Sequence, residues 1–220
     1  VEYEIPGINQ SQVKPNIGFS FAEGLRSILR QDPNIIMVGE TRDAETAGMV
    51  THAALTGHLV LSTLHTNDAS GALPRLINMG VEPFLITSAM NCVLGQRLVR
   101  KICPKCKAEI TVPAELKARI VEEIAKSPPL KEAVGAAPMK FFKGKESPEC
   151  TQGYQGRIGV YEVLAMSEAL ENLALKNAPA SAIAEQAKKE GMLTMFQDGI
   201  VKALQGITTL DEVFRVTSTS

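Results

Sequence analysis

The chain has no tryptophan, three tyrosines and seven phenylalanines, so aromatic side chains make up only 5% of its 220 residues. Non-specific single-strand binding needs aromatic faces interleaved with basic residues. The formal net charge of -1 supplies no basic field to compensate for their scarcity. Composition therefore argues against a nucleic-acid binder. No apolar run approaches the roughly 20 residues that span a bilayer, and no secretory leader opens the sequence. Four cysteines are few for a disulfide scaffold. Two of them form Cys103-Pro-Lys-Cys106, a spacing that suits a metal site in a reducing compartment, and a cytoplasmic location follows as an expectation. A phosphate-cradling G-x-x-x-x-G-K-[ST] loop is also missing. The remainder is 45% hydrophobic and 21% charged, an ordinary composition able to bury one large core or one core plus a smaller one. Val1 falls within what reads as a structural element, so a fragment is expected.

The most informative stretch runs from Asn34 to Asp68 and reads as strand, helix, strand. Ile35 to Val38 is a short apolar run, as expected of a strand buried on both faces. It delivers Glu40 and Asp43 at its carboxyl end. Asp43 can cap a helix bearing Ala47, Val50 and Ala54, which Gly57 can end. A second apolar strand, Leu59 to Leu64, leads to His65, Thr66, Asn67 and Asp68. Successive parallel strands point the same way, so Glu40 and His65 should meet at the edge where open α/β sheets bind ligands. If Leu59 to Leu64 is extended, His58 lies roughly 23 Å from His65, at the other end of the strand.

Elsewhere the pattern predicts mostly helices. Ser20 and Glu23 form a plausible capping box for a helix carrying Phe21, Leu25, Ile28 and Leu29. Arg26 and Arg30 share one face of it, either as a solvated stripe or as a phosphate or subunit contact. Asp68 can cap a helix closed by Gly80, and Pro83 opens a helical region through Leu94 to Val99 in which Cys92 should be buried. Arg97, Arg100 and Lys101 would then suit that helix's carboxyl end. A helix is expected from Pro113 to Lys126, then a linker marked by Pro128, Pro129, Gly135 and Pro138. Cys150 precedes the segment GYQGRIGVYEVL, and four short helices close the chain: Ser167 to Asn177, Ser181 to Gly191, Thr194 to Gln205, and one opened by Thr209 and Glu212.

At VGETRD, TGHLVLSTLHTND, the CPKC knuckle and GYQGRIGVYE, nearly the whole chain resembles the secretion and pilus-assembly ATPases, the type II secretion and type IV pilus extension motors. FAEGLRSILRQDPNIIMVGETRD and EGMLTMFQDGIVKALQGITTLDEVFRVT extend the likeness towards both ends. The resemblance implies an α/β fold: part of a RecA-like P-loop NTPase core, a parallel sheet with flanking helices, over residues 1–100. A cysteine-knuckle insertion would follow over 101–156 and a C-terminal helical region over 157–220. It implies a homo-hexamer on the cytoplasmic side of the inner membrane, contacting platform proteins and not nucleic acid, that turns over ATP with Mg²⁺ to assemble pilin-like subunits. VGETRD would be the Walker B segment, with Glu40 activating or positioning the attacking water. His65 would join it, while Glu2, Arg26, Arg30, Arg42, Asp43 and His58 would bind nucleotide or contact neighbouring subunits.

Two departures stand out beside a minor one, Thr41 in place of the family's usual apolar residue. The missing phosphate loop would have to lie upstream of Val1. The second knuckle reads Ser147-Pro148-Glu149-Cys150, so Cys103, Cys106 and Cys150 remain as candidate Zn²⁺ ligands, with water, Glu149 or another group completing the site or none. The competing readings are a zinc-knuckle nucleic-acid binder, suggested by Arg100, Lys101, Lys105 and Lys107 around CPKC, and a docking fragment without catalysis.

Overall fold

The computed structural model describes residues 3–136, 138–145, 148, 150 and 152–218. Glu2, Ser147 and Glu149 lie outside them. In chain order, a 3-10 turn at Pro15–Ile17 precedes α1 (Phe21–Leu29), β1 (Ile35–Val38), α2 (Ala44–Leu55), β2 (Leu59–Ser62), α3 (Ala72–Asn78) and α4 (Pro83–Ala89). There follow β3 (Cys92–Ile102), β4 (Lys107–Ile110), α5 (Ala114–Lys126), α6 (Pro128–Val134), β5 (Phe141–Gly144) and β6 (Tyr154–Ala165). The chain closes with α7 (Glu168–Leu175), α8 (Ala180–Lys189), α9 (Met195–Leu204) and α10 (Leu210–Thr217). The class is α/β. Among the described residues no helix is long and apolar enough to cross a membrane.

Helix starts follow local capping chemistry. Ser20, Asp43, Ser167, Thr194 and Thr209 each accept the backbone N–H three residues on, satisfying a donor that the first helical turn leaves open. Helices α4 and α5 lack such a bond, and so does α3. It begins after Gly71 without a side-chain cap, not at Asp68, because the preceding segment is tied elsewhere through the Ala69 amide. Residues 128–134, expected as linker, form α6: Ser127 accepts the Leu130 N–H, Pro128 and Pro129 occupy the first turn, where no donor is needed, and Leu130 is fully buried.

The chain forms two compact units. The first comprises Val1–Thr66, Gly71–Asn91 and Met166–Ala180. In it β1 and β2 pair in parallel, Ile35 opposite Leu59 and Val38 opposite Ser62, with α2 as the crossover. Leu25, Ile36, Val38 and Ala53 form the core, with Phe21, Ile28, Met49 and Val50 packed against it. Strand β1 is covered on one face only. Ile36 and Val38 point into this core, whereas Ile35 and Met37 are 62% and 73% exposed, so the expected two-sided burial does not hold within the unit.

The second unit comprises Asn67–Ser70, Cys92–Ala165 and Ser181–Ser220. Its long antiparallel ribbon pairs β3 with β6, from Cys92 opposite Ala165 to Ile102 opposite Tyr154, with an irregularity between Arg100 and Ile102. A short second ribbon pairs β4 with β5. Ile120, Phe141, Ile200, Ala203, Leu204, Leu210 and Val213 form the core. Helices α9 and α10 approach closely because Gly199 has no Cβ, which would lie 2.5 Å from Val213 Cγ1.

Strand β3 overturns the helix expected through Leu94 to Val99. Met90, Val93, Leu94 and Leu98 carry helix-like spacing, but Leu94 and Leu98 are exposed, and the segment pairs with a partner about sixty positions downstream that local spacing cannot reveal. Helix α4 ends at Ala89 and Met90 is already extended. Cys92, at the start of the strand, is exposed and not buried. Arg97, Arg100 and Lys101 therefore lie on a strand, not at a helix end. Strand β6 likewise runs through Ala165, into the region expected to be helical.

Candidate active site

The carboxyl ends of β1 and β2 are stitched together beyond their ladder. Thr41 N–H donates to Thr63 O at 2.9 Å, Thr63 Oγ1 donates to Gly39 O at 2.7 Å, and Thr41 Oγ1 lies 2.7 Å from Ser62 Oγ. Thr41 is buried, so its hydroxyl uses this position to join the strands where an apolar side chain would only fill space. The stitching holds the backbone on either side of Glu40 against the segment leading to His65.

Glu40 then lies between two nitrogen groups. His65 Nε2 is 3.4 Å from Glu40 Oε2, within donating reach in the tautomer protonated there, and Arg42 Nη1 is 3.2 Å from Oε1. The carboxylate is partly sheltered, its side chain 29% exposed against 80% for His65 and 60% for Arg42. Glu40 is therefore charge-paired with Arg42 on one side and hydrogen-bonded to His65 on the other, while the largely exposed His65 can still meet a ligand from solvent. Such a group can orient a water or take its proton.

The other candidates are engaged elsewhere. Asp43 caps α2: Oδ1 accepts Thr46 N–H at 2.8 Å and Oδ2 accepts the Thr46 hydroxyl. Arg26 donates to Glu23 Oε1 at 2.6 Å and to Glu45 Oε1 at 2.5 Å, and its bond to Glu45, followed by the charge of Glu23, holds its guanidinium pKa above the ordinary value. It ties α1 to the first turn of α2. Arg30 is the carboxyl-terminal cap of α1. His58 precedes β2, where its Nδ1 lies 2.9 Å from Ala53 O and 3.2 Å from Thr56 Oγ1, against the end of α2.

The second unit holds the cysteines. Cys103 and Cys106 form the knuckle between β3 and β4, where Cys106 N–H donates to Cys103 O and Cys103 N–H to Gly153 O. Cys150 arrives on the approach to β6. Gly144 and Gly153 let the two backbones touch: a Cβ on Gly144 would lie 2.0 Å from Gly153 O. The three Sγ atoms lie within 4.8 Å of one another, with Cys106 and Cys150 3.0 Å apart. Tetrahedral Zn²⁺ with bonds of about 2.3 Å sets its sulfurs about 3.8 Å apart, so a side-chain shift that parts Cys106 from Cys150 would let these three thiols take three positions of such a centre. The neighbouring Cys150 thiol, and then burial, push the Cys106 pKa up to about 12. A bound divalent cation would reverse that preference.

Two buried carboxylates have distant partners that local spacing does not reveal. Glu212, almost wholly buried, accepts from Arg100 N–H, Arg100 Nη2 and both Nε and Nη2 of Arg215 at 2.7–2.9 Å. It sits at the third position of α10, where it reads as half of a capping box. Glu162 lies on the inward face of β6 between Val160 and Leu164. Its signal was the charge in the otherwise apolar alternation Val160, Glu162, Leu164. Around the knuckle, Arg100 is committed to Glu212, and Lys107 reaches Gln205 O at 3.4 Å and lies over the Phe142 ring.

The family profile described as "Type II/IV secretion system protein" matches residues 1–215. The chain belongs to that family. It is 50% identical over 97% of its length to a type IV pilus assembly ATPase PilB of Thermus thermophilus, covering 23% of that protein. It is 47% identical over 99% of its length to a type II secretion system protein E of Xanthomonas campestris, covering 37%, and 44% identical over its full length to the type II secretion system ATPase E of Vibrio cholerae, covering 42%. The chain thus spans less than half the length of these relatives. Among solved structures, the pilus retraction motor PilT with bound ADP is 26% identical with a TM-score of 0.59, over 90% of this chain and 43% of PilT. The Legionella pneumophila ATPase DotB gives the same TM-score at 23% identity, over 91% of this chain and 43% of that one, a likeness of fold alone.

Proposed function

We propose that this secretion-family chain is part of a homo-hexameric RecA-like motor ATPase that hydrolyses ATP to drive pilin or pseudopilin assembly in type IV pilus biogenesis or type II protein secretion. The motor works at the cytoplasmic face of the inner membrane against platform proteins. The observation that carries the reading is the sheltered Glu40 carboxylate at the end of β1, 3.4 Å from His65 Nε2, within a family whose named relatives include pilus and secretion ATPases.

Nucleotide-bound Mg²⁺ supplies charge neutralisation at the phosphate oxygens. Glu40 accepts a hydrogen bond from the attacking water and aligns it, with its own orientation set by Arg42 and His65. His65, tethered among the described residues through Nε2, can turn that donor from Glu40 towards charge developing on a phosphoryl group. Arg42 balances the carboxylate, and Arg26, Arg30 and His58 act at subunit boundaries or through folding. The phosphate-cradling loop comes from a segment outside these 220 residues. Residues 1–100 supply the nucleotide side, 101–156 the cysteine knuckle and 157–220 the carboxyl-terminal region. Cys103, Cys106 and Cys150 hold Zn²⁺ as a structural ion, clamping the knuckle to the approach to β6.

The test is Glu40→Gln in the full-length protein, which removes charge and keeps shape. ATP binding should persist while steady-state hydrolysis falls about 10²-fold or more, the scale for losing a positioned acid-base group. Turnover within a few fold of the parent, in intact hexamers, would remove Glu40 from this role.

A further inference from the structure

Glu162 is a buried carboxylate that the proposed chemistry does not use. It is 5% exposed, on a strand face where Val160 and Leu164 are completely buried. A leucine there would avoid the desolvation that a carboxylate suffers. Its two oxygens serve different elements: Oε1 accepts the Ala69 N–H at 2.6 Å and Oε2 the Met195 N–H at 3.3 Å. Met195 is the first residue of α9, so negative charge sits where open amides and the helix dipole favour it. Across the ribbon the register partner is Gly95, and a Cβ there would lie 2.8 Å from Glu162 Cγ and 2.9 Å from Oε1. The glycine leaves the space that the bent side chain occupies.

The Ala69 amide belongs to Asn67–Ser70, a segment that packs with the second unit although the residues on either side of it belong to the first. Ala69 and Ser70 are buried, and Arg97 Nη2 donates to Asn67 O at 3.0 Å. The segment is therefore held at both ends, by an arginine on β3 and a carboxylate on β6. His65 lies four residues before Ala69, within an extended reach of about 14 Å. We propose that Glu162 is a positioning residue: by holding the Ala69 amide it anchors the segment that follows His65 to the start of α9, and so fixes the backbone four residues beyond the imidazole. The proposal rests on the role given to His65 above.

A double-mutant cycle in the full-length protein tests it, using steady-state ATP turnover by the parent, Glu162→Gln, His65→Ala and the double variant, each checked for hexamer content. Gln keeps the shape but presents an amide donor to one of the two backbone N–H groups, so one tether is lost. Glu162→Gln should lower kcat about tenfold with KM for ATP changed by less than about twofold, the scale of losing one charge-assisted hydrogen bond that orients a reacting group. In the His65→Ala background it should cost nothing further. Equal losses in both backgrounds would overturn the proposal, since a merely structural role is indifferent to His65. Parental turnover in His65→Ala alone would instead refute the role given to His65, and the proposal would fall with it. Should Glu162→Gln not assemble, Glu162→Asp, one methylene too short to reach both amides, carries the same cycle with the same outcomes.

Discussion

Glu212→Gln should destabilise the protein in a way that vanishes with acid. Burial alone would raise this carboxyl's pKa, yet the hydrogen bonds from Arg215 and Arg100, including the Arg100 backbone N–H, overcome it and hold the value at about 2 against an ordinary 4.5. A pKa depressed on folding contributes stability that is complete above the unfolded value and is lost as pH falls through the folded one. The window is thus pH 4.5 down to 2. The depression corresponds to about 3 kcal/mol at neutral pH, of which about 1 kcal/mol survives at pH 3. Gln removes the charge and turns an amide donor towards guanidinium donors. Arg100 and Arg215 are 40% and 53% exposed and can rehydrate, which keeps the loss at the low end of the range of about 3–5 kcal/mol for a broken buried pair. Urea denaturation of parent and variant at pH 7 and pH 3, followed by far-ultraviolet circular dichroism, measures the gap at each pH. It should shrink by about 2 kcal/mol on acidification, other titrating groups cancelling between the two proteins. A gap of the same size at both pH values would show that shape and packing at Glu212, not its charge, stabilise the β3–α10 contact.

The histidines should separate. His65→Ala should impair ATP turnover directly, whereas His58→Ala, which removes the contacts with Ala53 O and Thr56 Oγ1, should act through folding or ring assembly; equal turnover loss in both, with intact hexamers and unchanged stability, would defeat this division. For the cysteine site, Zn²⁺ should bind more weakly than at four thiolates, Ser147→Cys should tighten it, and binding should weaken as pH falls because protons compete for a Cys106 thiol already held at about 12. Metal analysis of the purified protein finding stoichiometric zinc unchanged in Cys150→Ala would rule out this ligand set.

Local rules were enough for much of the chain. Asp43 capping α2, Gly57 ending it with a positive φ, and a parallel strand on either side followed from spacing and caps, and they place Glu40 and His65 together because a crossover makes both strands point the same way. The cysteine spacing, likewise, pointed to the cluster that the structure assembles. Pairing over long separations was not legible. Residues 92–102 carry a spacing that serves helix or strand equally, and only the register with β6 decides it, turning Arg100 towards Glu212 over 112 positions. The half-covered face of β1, the exposure of Cys92 and the helix among Pro128 and Pro129 are not legible in sequence for a related reason: burial is set by what packs on a surface, not by the residue that presents it. The use of Glu162, and the Arg100 side of Glu212's, belong to tertiary structure, whereas Arg215 is a local partner three positions on. A carboxylate becomes a tether only when the fold removes it from water and brings amides or guanidiniums to its oxygens, and the partners of both lie up to 112 residues away.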